Sequence, residues 1–99
     1  MKPSIGRIVH YTLSERDAEG IRFLTDRAAS VNRGAGAPVG DDAWAGETYP
    51  AVIVSVSGPA AHETVNLKVW LNGTHDYWVP GATEGDVRGT WHWPERTDD

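Results

Sequence analysis

The sequence predicts a mainly β domain, a small five-stranded barrel with one helix inserted after the first strand. Short apolar runs with a period of two recur along the chain, separated by Gly, Pro and Asn-Gly turn signals. One stretch after Leu13 breaks that rhythm with helical spacing. The chain has 99 residues and no cysteine. That length holds one core that buries roughly two thirds of the unfolded surface without disulfide staples.

Residues 5–13 read as the first strand, with Ile8 and His10 alternating against Arg7, Val9 and Tyr11. Ser14 follows as a helix N-cap, with Asp17 three residues on as in a capping box. Leu13 and Ala18 fit a hydrophobic staple, and Ile21, Leu24, Ala28 and Val31 form a helical stripe. Acids lead this segment and arginines follow, which suits the helix dipole. The spacing predicts a helix over 15–29, despite Gly20. Residues 32–46 carry four glycines and Pro38 and read as a loop. Helix and loop together form an insertion over about 14–46.

Tyr49–Ser57 is the clearest strand, with Val52, Val54 and Val56 expected on one face and Pro50 at the strand start or an edge. Residues 57–63 turn the chain. Thr64–Leu71 follows, with Val65, Leu67, Val69 and Leu71 on one face, and Asn72-Gly73 marks a hairpin. A two-residue loop would place Asp76 opposite Val69, on the core face. A three-residue loop, Leu71–Gly73 with Gly73 left-handed, pairs Lys68 with Asp76 and Leu67 with Tyr77 and satisfies both faces. The inner face then carries Val65, Leu67, Val69, Tyr77 and Val79; the outer face carries Asn66, Lys68, Trp70, Asp76 and Trp78. Val79-Pro80-Gly81-Ala82 has the composition of a type II turn. Thr90–Pro94 is a short last strand with Trp91 and Trp93 on one face, and residues 95–99 are a frayed charged tail. Residues 1–99 are expected to form a single domain.

This order, a strand opening with Gly, a long insertion, a three-strand meander and a short closing strand, resembles the SH3-like barrels, the Tudor and KOW group included. The resemblance rests on Gly6-x-x-Val9, on Tyr49-Pro-Ala-Val-Ile-Val54 and on the Val65–Val79 hairpin; an open roll of the OB kind is the competing architecture. The two ends, Lys2-Pro-Ser-Ile-Gly-Arg-Ile-Val-His-Tyr11 and Gly89-Thr-Trp-His-Trp-Pro-Glu95, resemble a family of short proteins of actinobacterial bacteriophages and prophages. With the strand at Tyr49–Val54 and the hairpin from Val65, the likeness spans about half the chain. It implies a phage context and attaches no activity.

Charge narrows the partners. Nine basic and 14 acidic residues give a formal charge of −5. The cations are scattered, which argues against binding duplex nucleic acid through its phosphates. No run approaches the roughly 20 apolar residues of a membrane span, and no signal-peptide pattern opens the chain. The expected location is the host cytoplasm.

Five tryptophans against one Phe and one Met is a lopsided aromatic content. An indole carries an N–H that needs a partner when buried, so some of these rings are expected at a working surface. The candidate ligand-binding set is Tyr11, Tyr49, Trp70, Trp78, Trp91 and Trp93. Such rings at strand ends of small barrels hold peptides, methylated side chains or bases. The competing reading closes the barrel with Trp91 and Trp93 and pairs Trp70 with Trp78 across strands. Histidines 10, 62, 75 and 92 lack a metal-ligand spacing. No serine sits in a nucleophile elbow, Gly34-Ala-Gly36 lacks the Lys-Ser/Thr of a P-loop, and the acids Asp41, Asp42 and Glu47 lie in a glycine-rich loop. Neither catalytic residues, metal nor cofactor are expected.

The function expected is a non-enzymatic binding module. It would be a phage accessory protein, acting in host interaction or against host defence. Its aromatic face would hold a host protein or a small, nucleotide-type ligand. The alternative is a virion structural protein, a head-decoration or connector subunit located in the virion, for which self-association into a homo-oligomer is the expected contact.

Overall fold

A computed structural model describes residues 2–31 and 42–95, with the side chains of Ala28–Val31 excepted. Of the expected loop at 32–46, residues 32–41, with Asp41, lie outside the described residues, as do residues 96–99 of the expected tail at 95–99 and the stripe side chains of Ala28 and Val31. The elements are β1 (Ile8–Thr12), α1 (Glu15–Val31), β2 (Thr48–Ser57), β3 (Thr64–Trp70), β4 (Asp76–Glu84) and β5 (Thr90–His92). The five strands close into a barrel in the order β1-β2-β3-β4-β5. The small five-stranded barrel with one inserted helix is therefore the fold. All neighbours are antiparallel except β4 and β5, which run parallel.

Alternation builds the core. Val9, Tyr11 and Leu13 point inward from β1 and its end, Ala51 and Ile53 from β2, and Val65, Leu67 and Val69 from β3. Val79, Ala82 and Trp91 complete it. In β2 the structure corrects the sequence reading. The ladder shifts between Ile53 and Ser55, and this bulge turns Val56 inward against the core while Val52 and Val54 point out. One extra residue reverses every later side chain, so the three valines do not share a face.

The β3–β4 hairpin also differs from expectation. Val69 pairs with Tyr77 and Lys68 with Trp78, which leaves a loop of 71–75 rather than three residues. Gly73 is not among the glycines with positive φ. A shift by two keeps each side chain on its face, so alternation alone cannot separate the registers. Inner Val65, Leu67, Val69 and Val79 are buried, with Tyr77 half-buried against them. The Pro80-Gly81 signal acts inside a strand instead of ending one. Gly81 has φ +64°, the ladder is irregular between Val65 and Leu67, and the Gly81 N–H donates to Asn66 Oδ1 at 3.0 Å. The left-handed glycine bends β4 toward β5.

Helix α1 starts as its capping sequence requires. The Asp17 N–H donates to Ser14 Oγ at 3.1 Å, and the Ser14 N–H donates to Asp17 Oδ2 at 3.0 Å. Leu13 and Ala18 are both buried, as a staple demands. The Tyr11 hydroxyl donates to the same Asp17 oxygen, so the capping carboxylate also ties the helix to the barrel interior. Further along, Ile21 is buried but Phe23 and Leu24 are exposed. Burial, then the bond to Asp17 and its charge, holds the Tyr11 hydroxyl well above the ordinary tyrosine range.

Two measurements check this account. Gly58 has φ +91°, and a Cβ there would lie 2.8 Å from the His62 carbonyl oxygen; Gly6 also has φ +91° but meets nothing within 4 Å. Urea unfolding should show Gly6→Ala costing about 1 kcal/mol and Gly58→Ala on the order of 2–4 kcal/mol. Tyr11 is the pH probe. Because its folded pKa is raised, its contribution is fully present below the unfolded value of about 10 and is lost as pH climbs from there toward the folded value. Tyr11→Phe should cost about 1 kcal/mol at neutral pH and flatten the alkaline decline in stability.

Candidate recognition face

The register sets four outward side chains in a row across the sheet: Ile8 on β1, Val52 on β2, Lys68 on β3 and Trp78 on β4. Trp70 stands two residues beyond Lys68, opposite Asp76, and so lies diagonally from Trp78. Lys68 Nζ is 3.8 Å from Asp76 Oδ1, with about half of each side chain exposed; an ion pair this open contributes little to stability. Its effect is to neutralise the space between the two indoles. Trp70 is 46% and Trp78 53% exposed, with Ile8 at 41% and Val54 at 39%. Two half-exposed indoles leave roughly 200–250 Å² of aromatic surface in solvent. Ile8 and Val52 add aliphatic surface to the same sheet face.

The six aromatic candidates therefore separate. Trp70 and Trp78 are brought together on the outer face. Tyr11 and Trp91 are each only 2% exposed and do not stand on the outer face with Trp70 and Trp78. Both sit on inward positions, paired directly across β1 and β5. Trp93 is half-buried and stands edge-on to Trp91 at 5.2 Å between ring centres, with the Arg7 guanidinium 5.5 Å from its centre. Tyr49 is half-buried opposite Tyr11, and its hydroxyl donates to Glu47 Oε1 at 3.1 Å. These four rings belong to the interior and its ends, as the barrel-closing reading of Trp91 and Trp93 has it. Trp70 and Trp78 are not directly opposite partners.

Ile8, Val52, Val54 and Lys68 complete the face and were missed as site residues. Ile8 stood in the sequence as an apolar residue on the face opposite Val9 and Tyr11. Val52 and Val54 gave no such signal, because Ala51, Val52, Ile53 and Val54 are all apolar and alternation alone does not say which pair faces out. Trp44 was also missed. It is 55% exposed, with the Arg22 guanidinium stacked 4.5 Å from its ring centre. Arg22 also donates to the Ala43 carbonyl at 2.9 Å, and the Trp44 N–H donates to Glu47 Oε1 at 2.7 Å. This joins Glu47 of the acidic cluster to turn geometry.

Histidines 10 and 92 face each other across β1 and β5 with ring centres 5.7 Å apart, while His62 and His75 are exposed. Among the described residues no three His, Cys, Asp or Glu side chains gather in a metal-binding group, and no helix is long and apolar enough to cross a membrane.

Replacing each tryptophan separates the two roles. Trp91→Ala should cost about 3–5 kcal/mol by urea unfolding, as for a large core truncation. Trp70→Ala and Trp78→Ala should each stay within roughly 1 kcal/mol of the parent.

No family model matches this chain, and neither does any curated protein or solved structure.

Proposed function

We propose that the chain is a non-enzymatic binding module, an accessory protein of a phage that acts in the host cytoplasm by holding a host protein on the outer face of its barrel. The observation that carries this reading is the exposure of Trp70 and Trp78, 46% and 53%, on either side of the Lys68–Asp76 pair. Exposed indoles on a sheet face that also carries Ile8 and Val52 have the composition of interface hot spots. The face is the outside of a sheet. A small ligand, nucleotides included, needs a concave site that buries most of its surface, and the hollow beside Trp70 is a shallow 210 Å³. A protein surface fits the face better. The phage setting rests on the likeness of the two chain ends to phage proteins, and interference with a host defence or regulatory pathway is the corresponding role.

A second reading, a virion subunit, has its own support. Ile5 at 72%, Phe23 at 64% and Val87 at 62% exposure are further exposed apolar side chains, and an assembly subunit uses several contact surfaces.

Affinity purification from host lysate, followed by titration of the recovered partner with Trp fluorescence detection, tests the first reading. The parent should retain one partner at stoichiometric amounts, and Trp70→Ala with Trp78→Ala should weaken it at least about 30-fold, since hot-spot truncations cost 2 kcal/mol or more. Equal retention by parent and double variant would overturn it, as would quenching by a nucleotide alone. Stoichiometric presence of the chain in purified particles, read by mass spectrometry, would favour the virion reading.

A further inference from the structure

The edge of β4 carries an inference that rests on the protein-binding reading and names the form of a partner. β4 runs over Asp76–Glu84, but β5 pairs with it only at Thr83 and Glu84. Before that, β4 has β3 on one side and, among the described residues, no strand on the other. Every second residue of such a strand turns its N–H and C=O away from its single neighbour. These groups are an open template for a further strand. Pro80, which is confined to edges and bulges, and the bend at Gly81 end the regular template, so pairing is limited to Asp76–Val79.

Along Tyr77–Val79 the open edge borders a 400 Å³ cleft that continues past Pro80 to Ala82 and whose other side is the first turn of α1, with Ser14, Arg16 and Asp17. Tyr77 lines the cleft, and α1 rests on it so closely that a Cβ at Gly20 would lie 3.3 Å from the Tyr77 hydroxyl oxygen. A groove between a strand edge and a helix is the geometry in which extended peptides are held by backbone pairing, with side-chain pockets supplying selection.

The charges choose the peptide. The Asp17 carboxylate is already engaged by the Ser14 N–H and the Tyr11 hydroxyl. Arg16 is exposed on the same wall, and among the described residues it takes part in neither of the ion pairs, Lys2–Glu63 and Lys68–Asp76. Its guanidinium is near enough to Tyr77 to oppose the upward push of burial and Asp17 on that hydroxyl. We propose that an extended peptide segment carrying an acidic residue docks in this cleft as an added strand, its backbone pairing with Asp76–Val79 and its carboxylate meeting Arg16.

The test screens the intact chain against a displayed library of random linear dodecapeptides, then measures synthetic hits by calorimetry. Hits should share an acidic residue among β-prone neighbours. N-methylation of the hit's backbone amides should weaken binding about tenfold at one set of alternating positions and little at the other, the pattern of lost strand hydrogen bonds. Arg16→Glu should weaken binding roughly tenfold or more, and a peptide with Lys replacing its acid should regain part of the loss. Failure to enrich any peptide over a bare surface would overturn the proposal. So would indifference to Arg16→Glu, or N-methyl effects without alternation. Trp70→Ala separates the two readings: it lies on the outer face and not on the cleft. A hit lost with Trp70→Ala and blind to N-methylation sits on the outer face, which refutes the edge and keeps the module. A hit with the alternating pattern and no response to Trp70→Ala supports the edge even if the outer face holds nothing.

Discussion

Closure of the barrel rests on Trp91. Strand β5 has only three residues, and it joins β1 through two residue pairs and β4 through two more. So few backbone pairs make a weak seam. The central residue compensates by placing its indole, the largest fully buried side chain, into the interior, where it meets the inward rings and aliphatics of the other strands. Burial of a ring this size outweighs the hydrogen bonds that a longer strand would add. A short closing strand has a second consequence. It covers only the far end of β4 and leaves the near end open beside the helix, so the same economy that closes the barrel creates the cleft.

Asp17 is the second point on which the arrangement depends. A capping carboxylate ordinarily satisfies orphan N–H groups in the first helical turn. Here it also accepts from the Tyr11 hydroxyl, which stands on an inward position of β1. The tyrosine thereby meets its polar requirement at the barrel's end, and the helix is held against the strand that precedes it. Beyond the first turns the contact with the barrel thins, and Phe23 and Leu24 are left exposed.

The outer face takes Val52 and Val54 from alternation with the inward Ala51 and Ile53. Without the shift between Ile53 and Ser55, Val56 would follow them outward; with it, Val56 turns inward against the core. The outward pair joins Ile8 and the two exposed indoles around one neutralised ion pair. The two candidate surfaces, face and cleft, meet at Trp78, which stands on the outer face and also lines the cleft.

Much of this was legible in the chain itself. The alternation of Val65, Leu67 and Val69, the Ser14-x-x-Asp17 cap, the Leu13–Ala18 staple and the exposure of Trp70 and Trp78 follow from local periodicity and local hydrogen-bonding chemistry, which depend on neighbours in sequence. What only the tertiary structure decided lies wherever two strands must agree. A hairpin shifted by two residues presents the same faces, so the loop of 71–75 could not be told from a shorter one. A bulge inserts its extra residue by the fit of two strands, so the inward turn of Val56 was hidden. The separation of buried Tyr11 and Trp91 from exposed Trp70 and Trp78 is likewise a matter of which face closes upon itself. Periodicity records the face a side chain takes; only packing between strands records what that face meets.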